Sequence, residues 1–230
     1  MIGGRTAERR CDRCDTQGMV VRKPQQARSI ESTTRMLDAA EALIAEGGPD
    51  ALTVEAVITR AGTSTGAFYA RFGDRLGLLA AVQERFLGRL RSAAADQTDG
   101  LAEVPELRQA LMVLVDGFLT TFRRNRNAFT AIMVQTRSLP DFRDRGAEVT
   151  WAAARQLRQL LADRSEQISH PDLDTAADIV FRTLFALATQ IVMMDEAEVT
   201  GRTLSDQQWV EETTDLLVAY LTASRGTLDH

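Results

Sequence analysis

Apolar residues recur at three- and four-residue steps along most of this chain, the spacing that lines one face of an α-helix. The first such run passes through Ile30, Leu37, Ala40 and Ile44, with Ser29 placed to cap it. Gly47-Gly48-Pro49 closes it, because proline cannot continue a helix. A second, short helix is expected to follow Thr53 as N-cap, with Glu55 in its first turn, where the helix dipole favours negative charge. Val54, Val57, Ile58 and Ala61 supply its buried side. Gly62-Thr63-Ser64 forms a turn, and a third short helix is predicted at about 65–72. A fourth, at 75–96, carries Leu76, Leu79, Val82, Phe86 and Leu90 along one face. Beyond a polar linker at 97–104, five more helices are expected near 105–123, 126–137, 141–164, 172–195 and 205–223. Nine helices and no convincing strand make the expected fold class all-α.

Composition narrows the function without deciding it. Of 230 residues, 44% are hydrophobic and 26% charged, an ordinary globular balance. No stretch approaches the roughly 20 uninterrupted apolar residues of a membrane helix, and the N-terminus lacks the layout of a secretory signal. A cytoplasmic protein with no membrane partner is expected. The net charge of −5 speaks against nucleic-acid binding only as an average. Residues 1–97 carry 14 Arg or Lys against 12 Asp or Glu, and the remainder 13 against 20, giving +2 and −7. A mildly basic head on an acidic body suits a protein that meets phosphates at one end. Residues 1–29 read as a flexible basic arm. The pair Cys11 and Cys14 has no nearby histidine or further cysteine to complete a zinc site, so no metal and no cofactor are expected.

Two short helices joined by a glycine turn, inside a three-helix cluster, define a helix-turn-helix whose second helix can enter a DNA major groove. Phe68 and Phe72, four residues apart, face inward and lock this helix down, while Tyr69 exposes a phenol that can donate to a phosphate. Arg71 and Arg75 add positive charge at the same edge. The run from Leu52-Thr53-Val54 through Ala61-Gly62-Thr63-Ser64-Thr65-Gly66-Ala67-Phe68-Tyr69-Ala70-Arg71-Phe72-Gly73-Asp74-Arg75 to Leu78-Leu79 resembles the DNA-binding head of TetR-family regulators. The resemblance spans about 30–90 with its motif at 53–72, and leaves 91–230 as a helical body for effector binding and dimerisation. It implies that Thr53, Tyr69 and Arg75 contact phosphates, Arg75 standing where lysine is usual. Arg71 replaces a common histidine and would add a contact. Ser64, Thr65, Gly66 and Ala67 would form the groove-facing end of the recognition helix. Ile58 and Thr63 depart from a usual alanine and valine, and neither removes a DNA-facing group. Direct base readout looks sparse, with no Arg, Asn or Gln at the groove-facing end of the helix to grip a base bidentately, so DNA shape and a minor-groove arm are expected to contribute.

The body is rich in aromatic and apolar side chains, some of which the resemblance assigns to an effector cavity. The candidates are Phe122, Phe129, Met133, Trp151, Phe181 and Phe185, with Asp116, Gln135 and Arg182 as polar anchors. Asp116 in the cavity would favour a cationic effector. Phe181, Leu184, Phe185, Ala188, Ile191 and Val192 make one apolar stripe; Trp209, Val210, Thr213, Leu216, Leu217, Tyr220 and Leu221 make another. By resemblance, the helices at 172–195 and 205–223 pair with their copies in a homodimer.

The expected function is therefore a ligand-responsive repressor that binds a palindromic DNA operator as a dimer and is released by a small-molecule effector. A ligand-independent or activating DNA binder controlled by a protein partner is the alternative. Catalysis is not expected: neither histidine follows a Glu at the Glu-x-x-His spacing, and no phosphate-binding loop or nucleophile elbow is present.

Overall fold

The computed structural model describes residues 25–101, 103–136, 139–194 and 196–223. Among these the chain is all-α, with ten α-helices and no strand. The head comprises α1 (Gln25–Gly47), α2 (Val54–Ala61), α3 (Thr65–Phe72) and the start of α4 (Arg75–Leu101). The body adds α5 (Leu107–Arg124), α6 (Arg126–Thr136), α7 (Pro140–Ala162), α8 (Leu173–Met193), α9 (Glu196–Thr200) and α10 (Asp206–Thr222). Single turns of tighter helix occupy Pro49–Ala51 and Ser165–Gln167.

Three boundaries differ from the sequence expectation. The first helix starts at Gln25, so Ser29 lies inside it and caps nothing, and the last five residues assigned to the arm are helical. Gln25-Gln26-Ala27-Arg28 are good helix formers without an apolar stripe, and propensity extends the helix where periodicity is silent. The arm's remaining residues, Cys11 and Cys14 among them, lie outside the described residues. The fourth helix continues through the polar stretch read as a linker and ends at Leu101, which is buried in the body. The short α9 is an addition, lying between two helices that were expected to be joined by a loop.

Two hydrophobic clusters organise the molecule. In the head, Met36, Ala40 and Ile44 of α1 meet Val57 of α2, Phe68 of α3, and Leu78 and Val82 of α4, all essentially inaccessible. Burying each of these side chains other than Ala40 contributes about 1.5–3 kcal/mol relative to exposure. Arg85 and Arg89 of α4 pair with Asp38 and Glu41 of α1 at 2.6 and 2.8 Å, adding surface ties of about 0.2–1 kcal/mol each. The head cluster is completed from the body by Ala131 of α6 and Phe142 of α7. Two polar contacts reinforce that junction. Buried Gln83 of α4 donates from Nε2 to Phe142 O at 2.8 Å, and Asn127 of α6 donates to Ala45 O at 3.0 Å.

In the body, α5 packs against α8 and α10, and α7 packs against α8 and α4. The second cluster runs from Phe86, Leu87 and Leu101 of α4 to Leu217 and Leu221 of α10. The two stripes assigned to dimer contacts mostly face this core. Phe181, Leu184, Ala188, Ile191 and Val192 are buried within the protomer, as are Val210, Thr213, Leu217 and Leu221. The large apolar side chains exposed on these helices are Ile179, Met193 and Leu216. Although Asp174, Asp178 and Arg182 interrupt its apolar run, α8 is long and apolar enough to cross a membrane by length and mean hydropathy. Its apolar side is the one packed against α5 and α7, as in the central helix of a helical body.

Candidate nucleic-acid interface and body cavity

The head's exposed edge is built by local hydrogen bonds. Thr53 sits in extended backbone before α2 and its Oγ1 accepts from Ala56 N at 3.2 Å. Gly62 ends α2 at φ 58°, ψ 46°, a left-handed conformation that costs a residue with a Cβ and lets the chain reverse in one step. Ser64 repeats the capping device for α3, its Oγ accepting from Ala67 N at 3.2 Å. Both hydroxyls accept with their oxygens, which leaves each O–H able to donate outward. Thr63 is tied to α1 through a 3.4 Å contact between its hydroxyl and that of Ser32.

Within α3 the periodicity separates core from surface. Phe68 is 0% exposed and packs edge-on against Tyr69 at 5.5 Å and against half-buried Phe72 at 5.3 Å. Tyr69 is 50% exposed, so its ring is braced while its phenol reaches solvent. Thr65, Gly66 and Arg71 are exposed, and Ala67 is half-buried. Arg75, at the first residue of α4, is half-buried and donates from Nε to Leu52 O at 2.7 Å. That bond fastens the start of α4 to the segment before α2 and fixes the guanidinium at the same edge as Thr53. Thr53, Ser64, Thr65, Gly66, Ala67, Tyr69, Arg71 and Arg75 thus belong to one compact unit, the two helix starts and the end of α3. On the far side of α2, Arg60 and Glu46 form a two-pronged pair at 2.5 Å. The pair draws the Glu46 carboxyl below its ordinary range and raises the guanidinium.

The body holds a cavity of about 220 Å³ between α4, α5, α7 and α8. Leu101, Leu114, Phe118, Leu157, Phe181 and Leu184 form its apolar walls. Its polar groups are Gln97 of α4, Gln156 and Gln159 of α7, and Asp163 and Arg164 just after α7. Arg164 is buried, at 8% exposed, and bonds to the carbonyls of Leu101, Val104 and Leu160. A cation is favoured there because these carbonyls gather at the ends of α4 and α7, where the helix dipoles are negative.

Of the candidates named from sequence, Phe181 lines this cavity. Phe122, Phe129 and Phe185 stand behind it in an aromatic cluster. Phe122 stacks on the lining Phe118 at 4.8 Å and meets Phe129 and Phe185 at 5.0 and 6.0 Å. Three others are placed elsewhere. Asp116 is exposed on α5, Arg182 is exposed and paired with Asp178 at 2.7 Å, and Trp151 is 63% exposed on the outer side of α7. Asp116 and Arg182 follow the usual rule that a charge on an amphipathic helix turns to solvent. Trp151 is exposed on α7, whereas Leu157, Leu160 and Leu161 of the same helix are buried. The side chains of Met133 and Gln135 lie outside the described residues. Sequence reasoning missed Gln97, Gln156 and Arg164. Gln97 was set in a linker, and Arg164 carried no local signal because its partners are 60 and 63 residues away as well as one turn back.

A capped helix-turn-helix fixed to an all-helical body is the build of a DNA-binding transcriptional regulator. The comparisons agree. Residues 36–82 match the model of bacterial regulatory proteins of the tetR family, and residues 105–221 match that of the tetracyclin repressor-like C-terminal domain. The chain belongs to the TetR family. Solved structures share the fold at low identity. A chain from Mesorhizobium loti MAFF303099, named for the TetR family, is 17% identical with a TM-score of 0.67, over 84% of this chain and 96% of its own. The fatty acid degradation regulator FadR from Bacillus halodurans is 20% identical with a TM-score of 0.59, over 91% of this chain and 99% of its own. The ketosteroid transcriptional regulator KstR2 of Mycobacterium tuberculosis is 20% identical with a TM-score of 0.59, over 83% of this chain and 95% of its own. No curated protein matches the chain.

Proposed function

We propose that this protein is a cytoplasmic, dimeric repressor that binds a palindromic operator and lets go of it when a small molecule fills the cavity between α4, α5, α7 and α8. In this reading residues 30–90 read DNA and 91–230 bind the effector and the second protomer. The observation that carries it is the course of α4. Leu78, Leu79 and Val82 at one end are part of the head core, while Ala94, Gln97 and Leu101 at the other end are cavity wall. One rigid helix therefore feels both the guest and the orientation of the DNA-reading unit. An effector acts through such a helix only if it binds the released state better than the DNA-bound one.

On DNA, α3 enters the major groove, with Thr65, Gly66 and Ala67 nearest the bases. Thr53, Ser64, Tyr69, Arg71 and Arg75 hold the backbone. Two such heads spaced by about one helical turn, roughly 34–36 Å, require an operator with twofold symmetry. The dimer surface uses the outward faces of α8 and α10, where Ile179, Met193 and Leu216 are exposed. Selection of binding sites from random duplexes tests the core of this proposal. The expected winners are inverted repeats bound by two protomers. Recovery of single, asymmetric sites bound by one protomer would overturn it.

A further inference from the structure

The charged side chains at the cavity are engaged before any guest arrives. Arg164 donates from Nη1 to Leu160 O at 2.9 Å, from Nη2 to Leu101 O at 2.7 Å and Val104 O at 2.5 Å, and from Nε to Val104 O at 3.2 Å. Its charge is answered by helix-end carbonyls. Asp163, exposed at the mouth, accepts from Gln159 Nε2 at 2.7 Å. A carboxylate guest would have to pull backbone carbonyls off Arg164 and lie close to Asp163. A cationic guest drawn inward would lie close to Arg164, and the one carboxylate it could meet, Asp163, stands exposed at the mouth where water screens it. Either ion would surrender its hydration without full repayment.

What the cavity still offers is amide chemistry. Gln97 reaches from α4 onto α5, donating from Nε2 to Val113 O at 2.9 Å and Leu114 O at 3.1 Å. It fits because Gly117 has no side chain; a Cβ there would collide with the Gln97 amide. Both Nε2 protons are used in this way, which leaves Oε1 as the amide group with capacity for a guest. The walls around it are apolar, and the 220 Å³ volume is below the usual range of about 300–1,000 Å³ for ligand pockets.

The geometry points to an uncharged guest: a compact apolar body, of the size of one ring or a short chain, carrying one hydrogen-bond donor that Gln97 Oε1 accepts. This ligand class rests on the cavity being the effector site. It departs from the sequence expectation, in which Asp116 would have favoured a cation. Because Gln97 belongs to α4, the hydrogen bond that selects the guest is made by the helix that carries the head.

Calorimetry on the full chain with benzyl alcohol, benzoate, benzylamine and toluene tests the proposal with one ring carrying three polar ends and, in toluene, none. Benzyl alcohol is expected to bind saturably, and both ions at least about tenfold more weakly. Gln97→Leu should lower benzyl alcohol affinity about fivefold and leave toluene affinity unchanged, as loss of one neutral hydrogen bond requires. Ala153→Trp, which fills the cavity, should abolish binding of both neutral compounds. Benzoate or benzylamine binding as well as the alcohol overturns the ligand class, as does no binding of benzyl alcohol or its survival in Ala153→Trp. Operator affinity measured with each compound separates the two readings. Neutral-selective binding with unchanged operator affinity removes the effector role and keeps the ligand class. Benzoate that binds and releases operator does the reverse.

Discussion

The head and the body handle polar groups in opposite ways. In the head the two capping hydroxyls sit on the rim, each three residues from the backbone group it accepts from, as Thr53 with Ala56 and Ser64 with Ala67. In the body the decisive polar groups turn inward and are held by partners far away in sequence, as Arg164 with Leu101 and Gln97 with Val113. A rim assembled locally can be read by any operator that fits it. An interior assembled from four helices is specific to its guest and sensitive to every helix that moves.

The contrast can be broken first at the head's core. Phe68→Ala removes the ring that anchors α3, and head stability should fall by about 3–5 kcal/mol, seen as a lower urea midpoint and lost operator binding. If operator binding persists at wild-type affinity, α3 is not held by this ring. The inward chemistry of the body is tested by Arg164→Met, which strands the carbonyls of Leu101, Val104 and Leu160. A loss of about 1.5–3 kcal/mol is expected in chemical denaturation, with operator affinity of the folded fraction nearly unchanged. A smaller effect, confined to DNA, should come from Tyr69→Phe. Loss of one phosphate hydrogen bond should weaken operator binding by about 1 kcal/mol in anisotropy titrations, while stability stays within about 0.5 kcal/mol. A large loss of stability instead would make Tyr69 a core residue.

The smallest effect concerns pH. Asp172 caps α8, accepting from the Thr175 hydroxyl and backbone N–H, which lowers its carboxyl below the ordinary 3.8. A group depressed on folding contributes stability above its unfolded value and loses it as pH falls through the folded one. Wild-type melting temperature should therefore drop below about pH 4 with a component that Asp172→Asn lacks. Parallel curves for the two proteins would show that the cap is not titrating.

The same contrast explains what could be read from the chain. The turn at Gly62, the cap at Thr53 and the Phe68–Phe72 spacing are all local, and each stands where the sequence places it; Ser64, read as part of the turn, also proves to cap α3. Helix count and order were nearly as accessible, since apolar periodicity reports which face is buried. It does not report against what. Phe181 and Leu184 formed a visible stripe, but only packing on α5 and α7 shows that the stripe faces inward rather than toward a second protomer. Asp116, Trp151 and Arg182 attracted notice by residue type, and tertiary packing turns all three outward. Gln97 escaped notice because a polar stretch resembles a linker, although the same residues continue α4 and lay one side chain over α5.

The seating of Phe142 among head residues has a bearing on how such proteins can be recombined. A fragment cut after α4 would carry away the Phe68 core but leave behind the ring that seals its base, and Gln83 would lose the carbonyl it holds. Swapping DNA-reading units between relatives, in the laboratory or by descent, therefore calls for the α6–α7 corner to travel with them or for a matching socket on the new body. Modularity in this molecule is set by that corner, and the unit of inheritance is larger than the motif that touches DNA.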